Sequence, residues 1–163
     1  MIEPQIIIYT DGSSSGNPGP GGYGIVMQKY GTDYIKEFSE GYRQTTNNRM
    51  ELLAVIVALE KINKENQIVH VYTDSKYVSD SVEKKWVQNW EKKGFKNKKN
   101  ADLWIRFLKV YRKHNVIFFW VKGHNNIYGN ERCDTLAVQA SKKQTLKIDK
   151  NYEKSIDNRN RSI

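Results

Sequence analysis

The chain is poor in the residues that anchor several classes of protein. It has one cysteine and three histidines in 163 residues. No apolar run approaches the roughly 18 residues that a membrane helix needs. A lone cysteine cannot pair within the chain, which excludes a disulfide-stapled scaffold. No Cys and His stand at zinc-ligand spacing, and no Ser, His and Asp set is recognisable, so a structural zinc and a protein nucleophile both lack candidates. The opening MIEPQIIIYTDGS carries neither a basic segment nor a cleavage signal, so a cytoplasmic protein with no membrane partner is expected. Acids are scarce in two places. Between Lys84 and Lys99 Glu91 stands against seven lysines, and from Ser141 onward three acids face seven basic residues. The rest is near neutral, so the net charge of +9 is confined to one insertion and one tail. In the insertion the lysines alternate with Trp86, Trp90 and Phe95, and cations beside ring faces suit a sugar-phosphate backbone. An amphipathic helix with its tryptophans in the core accounts for the same pattern equally well.

At 163 residues a single domain is expected. Residues 5–10 (QIIIYT) form a short β-branched strand, and 13–22 (SSSGNPGPGG) a loop dictated by Gly, Asn and Pro. Two antiparallel strands follow at 23–30 and 34–42. A largely buried helix runs from Thr46 or Asn48 to about 63, carrying Met50, Leu53 and Val57 on one stripe. A strand at 68–73, helices at 75–92 and 101–113, a strand at 116–121 and a helix at 130–141 complete an α/β domain with a mixed sheet. Residues 142–163 are sparse in apolar side chains and are expected to be poorly ordered. Gly19-x-Gly21-x-x-Gly24 meets the dinucleotide-binding pattern formally, but a strand follows it where that fingerprint requires a helix.

Chemistry enters through an echo. The first strand ends Ile-Tyr-Thr-Asp at Asp11, and the fourth ends Val-Tyr-Thr-Asp at Asp74. Alternation puts Tyr9 with Asp11 on one face, and Tyr72 with Asp74. If the strands are parallel neighbours joined by a right-handed crossover, the two carboxylates stand side by side at the carboxyl end of the sheet, where α/β sheets carry their sites. Like charges so placed repel unless a cation or a proton lies between them. Glu51, between Met50 and Leu52 in the first turns of the crossover helix, can join them, and so can Asp134, early in the last helix. Each acid has a plainer role: Asp74 as a helix cap, Glu51 as a solvent-edge residue, Asp134 as a complement to the helix dipole.

The stretches YTDGSSSGNPGPGGYG, GYRQTTNNRMELLAVIVALE, VYTDSKYV and WVKGHNNIYGNERCDTLA resemble type 1 ribonuclease H of the bacterial kind. The likeness spans about residues 5 to 141, with the motifs in order. It implies a five-stranded mixed sheet with helices on both faces, and a catalytic domain over 1–141 with a basic substrate-binding insertion at 84–99. The implied activity is endonucleolytic hydrolysis of the RNA strand of RNA/DNA hybrids to 5′-phosphate and 3′-hydroxyl ends. Asp11, Glu51, Asp74 and Asp134 match the family's metal-binding acids. Hard carboxylate oxygens suit two Mg²⁺ ions, with Mn²⁺ as a substitute, and such a pair would clamp the attacking and leaving oxygens. His124 matches a loop histidine assigned to proton transfer or product release.

By the same resemblance Asn17 and Asn48 contact the minor groove, where 2′-hydroxyls distinguish RNA from DNA. Thr46 and Asn47 match a pocket for a DNA-strand phosphate, and Lys76, standing where the family has Gln, becomes a phosphate contact. Trp86, Trp90, Lys92 and Lys93 of the insertion complete the expected hybrid surface. Thr46 or Asn48 can cap the central helix as well. A monomer with no obligate protein partner is expected. A non-catalytic hybrid-binding module is the alternative, against which the presence of all four acids argues. An integrase or resolvase of the same fold would need further domains.

Overall fold

The computed structural model describes residues 2–123 and 127–161. The chain opens with three antiparallel strands, β1 (Ile6–Ser14), β2 (Gly19–Lys29) and β3 (Ile35–Thr45). Helix α1 (Asn47–Glu60) crosses to β4 (Ile68–Thr73), which is followed by α2 (Lys76–Glu83), α3 (Trp86–Lys92) and α4 (Ala101–Tyr111). Strand β5 (Asn115–Trp120), α5 (Tyr128–Ser141) and α6 (Lys150–Arg161) complete it. The sheet order is β3-β2-β1-β4-β5, with β1, β4 and β5 parallel, which makes the expected five-stranded mixed sheet.

The core lies between one face of this sheet and helices α1 and α4. Ile8, Val69, Val71, Val116 and Phe118 alternate onto that face and meet Leu52, Ile56, Leu59, Trp104 and Phe107, all buried. Sandwiched between sheet and α4, helix α1 is apolar on most sides, which is why it reads as a broad stripe rather than a narrow one. Thr46 is its cap, its hydroxyl accepting the Arg49 N–H at 3.2 Å. The opposite face carries α5 over β1, β2 and β3. There the backbones nearly touch: a side chain on Gly24 would collide with the Cys133 carbonyl, and one on Gly41 with that of Ala140.

Three expectations are corrected. The glycine-rich stretch 13–22 is not all loop, because Ser13 and Ser14 of β1 pair with Gly22 and Gly21 of β2, leaving a tip of four residues. The helix expected over 75–92 breaks at Lys85, which adopts φ +63° and separates α2 from α3. The segment expected to be poorly ordered after 141 is structured through residue 161. Lys147 bridges to Tyr42 beside β3, its N–H reaching the Gly41 carbonyl at 2.8 Å, and α6 follows. Ion pairs are prominent among the contacts that dock it. Asp149 accepts from Arg49 Nε and Thr45 Oγ1, each at 2.8 Å, and Glu153 takes a two-pronged bond from Arg43.

Candidate active site

The parallel ladder between β1 and β4 ends at the pair Tyr9↔Tyr72, whose rings stack with centroids 5.2 Å apart. Asp11 and Asp74 each follow two residues later, so they stand side by side just past the end of this ladder, Asp11 still paired with Gly24 of β2. Helix α1 brings in the third acid. Its first turn lies against Gly12, where any β-carbon would collide with the backbone of Met50 and Glu51. One oxygen from each of Asp11, Glu51 and Asp74 then falls within 4.8 Å of the others. Asp11 and Glu51 are buried, while Asp74 stands at the open edge. Capping of α2 falls to Ser75, whose hydroxyl accepts the Val78 N–H. Asp134 sits in the second turn of α5, past the helix end where a dipole role would place it, and its charge bears on Asp11. The plainer roles for Asp74 and Asp134 are thereby displaced. Gly12→Ala is expected to cost about 1–3 kcal/mol of stability as α1 is forced off β1, and to weaken divalent-cation binding at the acids. Thermal melting and calorimetric titration would read both; an unchanged melt would mean that α1 can recede freely.

Burial raises the Asp11 carboxyl to about 7, with the charges of Asp74 and Asp134 adding to it. Burial, then the charge of Asp11, pushes Glu51 well above the ordinary carboxylate range. Glu51 Oε2 is buried with no hydrogen-bond partner among the described residues. Crowded carboxylates that resist ionisation, and an orphaned buried oxygen among them, fit a divalent cation as their missing counter-charge. Their hard oxygens suit Mg²⁺ or Mn²⁺ over softer metals. The site is open rather than enclosed. A groove of about 760 Å³, lined by Met27, Tyr30 and Phe38, lies at the opposite end of the sheet.

The family model for RNase H matches residues 3–142. The chain belongs to the ribonuclease H family. A ribonuclease H of Desulforamulus reducens is 55% identical over 150 residues, covering 89% of this chain and 92% of that protein. One of Trichodesmium erythraeum is 51% identical, covering 91% and 96%. Among solved structures, LC9-RNase H1, described as a type 1 RNase H with the type 2 active-site motif, superposes with a TM-score of 0.77 at 33% identity. It covers 89% of this chain and 75% of that one. LC11-RNase H1, solved in complex with an RNA/DNA hybrid, gives 0.63 at 28% identity, covering 83% and 95%. As a ribonuclease H, the chain is a hydrolase and a nuclease.

The remaining expected residues of this ribonuclease H fall into two groups. Asn17, Thr46, Asn47 and Asn48 gather where the β1–β2 tip meets the start of α1, and Asn17 Oδ1 accepts the Asn47 N–H at 3.1 Å. The insertion meets them only at its end, where Lys98 and Lys99 line one cleft with Asn17, Thr46 and Asn48. Trp90 is half-buried, edge-on to Trp104 and covered by Lys98, while Trp86 is 43% exposed with Lys84 over its ring. The core and surface accounts of these tryptophans therefore each hold for one of them. Lys92 and Lys93 are exposed at the end of α3. Lys76 is exposed as well, and its ammonium rests 4.6 Å above the Trp120 ring. Glu91 is paired with Arg112 of the α4 end, which holds the acid of the insertion away from its lysines. His124 lies outside the described residues. Sequence reasoning missed Arg49, Asn100 and Asp102, which join Asp149 in one hydrogen-bonded group beside Thr46. Their spacing along the chain offered no local signal.

Proposed function

We propose that the chain hydrolyses the RNA strand of RNA/DNA hybrids endonucleolytically, leaving 5′-phosphate and 3′-hydroxyl ends, with divalent cations held by Asp11, Glu51, Asp74 and Asp134. The observation that carries this is the convergence of three carboxylates, two of them buried, from a strand, a helix and a second strand end at an open edge. When bound, two Mg²⁺ ions, or Mn²⁺ in their place, would neutralise phosphoryl charge and make water a stronger nucleophile. The protein's own contribution is position. Asp11 and Asp74 are held by the ladder, and Glu51 by the contact of α1 with Gly12. Asn17 and Asn48 face the groove, where amides can donate to or accept from 2′-hydroxyls. Thr46 and Asn47 hold a phosphate of the DNA strand, and His124 assists proton transfer or product release. Lys76, Trp86, Trp90, Lys92 and Lys93 hold the duplex farther out. Residues 1–141 supply this catalytic unit, acting as a monomer in the cytoplasm.

Labelled RNA/DNA hybrid, double-stranded RNA and double-stranded DNA, incubated side by side, test it. Cleavage should be confined to the RNA strand of the hybrid and should stop when Mg²⁺ is chelated. Equal cutting of double-stranded RNA, or hybrid cleavage without a divalent cation, would sink the proposal. The insertion has its own test. Replacing Lys92, Lys93, Lys96, Lys98 and Lys99 with Ala should raise KM far more than it lowers kcat, because those contacts are alike in ground and transition states. Hybrid binding should also become less salt-dependent, since fewer counterions are released. Unchanged KM and salt slope would reduce the insertion to a solvated surface.

A further inference from the structure

The C-terminal helix borders a second cleft, of about 670 Å³, within the size range of ligand sites. Asn17, Thr46 and Asn48 belong to its lining, and Lys98 and Lys99 enter it from the end of the basic insertion. Helix α6 supplies Asn151, Ser155 and Arg159 to the same cleft. These recur every fourth residue, so they form one face of the helix. The helix is held in place mainly by groups off that face, so Arg159 is not needed to anchor it. Asp149, just before it, is bound by Arg49 and Thr45, and Glu153 by Arg43. Asn151 reaches Asp102, adding to the Arg49 bonds that hold that carboxyl below its ordinary range.

Charge distinguishes the cleft. Its acid, Asp102, is already consumed by Arg49 at 2.7 Å. Among the described residues no carboxylate pairs with Arg159 or Lys99. Arg159 uses Nε on the Ser155 carbonyl, at 3.4 Å, which leaves its terminal nitrogens for another acceptor. Unpaired cations from two separate elements, converging on hydroxyl and amide donors, are what a phosphodiester backbone requires. We infer that α6 is a further wall of the nucleic-acid surface, with Arg159 contacting a backbone phosphate of the strand that passes Thr46. This rests on an RNA/DNA hybrid being the substrate.

Binding of a fluorescent RNA/DNA hybrid across a salt series, in an Asp11→Asn background that does not cut it, tests the inference. Arg159→Ala should weaken binding about three- to tenfold and make the salt slope shallower by about 0.9, the loss of one phosphate contact. Its melting temperature should match the parent's, because α6 is anchored through Asp149 and Glu153. Lys154→Ala removes the same charge from α6 outside the cleft and should leave affinity near the parent's. Arg159→Ala binding like the parent, or Lys154→Ala weakening it equally, overturns the assignment and leaves the hybrid reading standing. Failure of the Asp11→Asn parent to bind hybrid would instead remove the substrate reading, and this inference with it.

Discussion

Asp11→Asn should cut hybrid cleavage by roughly 10³-fold or more, about 4 kcal/mol of barrier, while the metal-free protein melts at the same temperature or higher. Asp11 is the acid that all the others touch: the charges of Asp74 and Asp134 bear on it, and its own bears on Glu51. The amide keeps shape and hydrogen bonding and removes one charge from the crowd. The pH profile gives a second readout. In the fold the Asp11 carboxyl is raised to about 7, against about 4 in an unfolded chain. The folded protein therefore binds this proton more tightly. The associated stability is complete below about pH 4 and is lost as pH rises through 7. Metal-free wild-type protein should lose stability across that window, and Asp11→Asn should lose less. Glu51, raised in the same direction, keeps part of the slope in the variant. Mg²⁺-dependent cleavage near the wild-type rate would refute the role given to Asp11.

Arg49→Ala should cost about 3–5 kcal/mol, the loss seen when one partner of a buried charge group is removed, and on the order of 10 °C in Tm. The Arg49 side chain is 4% exposed and donates to both Asp102 and Asp149. Its removal strands Asp149, 9% exposed, with Thr45 as its remaining partner in that group. The consequence reaches beyond stability, because this group fastens α6 to α1 and α4. Limited proteolysis should then cut near residue 149 first, and hybrid binding should weaken. A loss below about 1 kcal/mol, the range of exposed pairs, would show that water replaces the guanidinium without penalty.

The parts of the fold legible in the sequence are those coded locally. The repeated Tyr-Thr-Asp endings placed Asp11 and Asp74 together because strand alternation and parallel pairing suffice to align them. The broad stripe of α1 placed Glu51 nearby. Asp134 could be named as a candidate, but its approach to Asp11 depends on how closely α5 settles on Gly24, which no short window reveals. Residues 13–22, at the end of the β1–β2 hairpin, read as loop because glycine and serine can pair in a ladder without the side chains that mark a strand. Lys85 breaks a helix through a positive φ at a residue type that carries no such signal. Helix α6 was hidden for a different reason. Its order comes from Asp149, whose partner Arg49 lies a hundred positions earlier, and a composition poor in apolar residues says nothing of such a pairing.

The end of the β1–β4 ladder at Tyr9 and Tyr72 also acts as a ruler. Neighbouring strands are spaced about 4.8 Å apart by their hydrogen bonds, whatever side chains they carry. The separation of Asp11 from Asp74 is thus inherited from the peptide backbone and is insensitive to drift in the core. Insertions in the surrounding loops leave it untouched. A single-residue deletion between Ile6 and Tyr9 is another matter. If the ladder kept its register, Asp11 would be turned to the face that packs on α1, and no compensating side chain could restore the spacing.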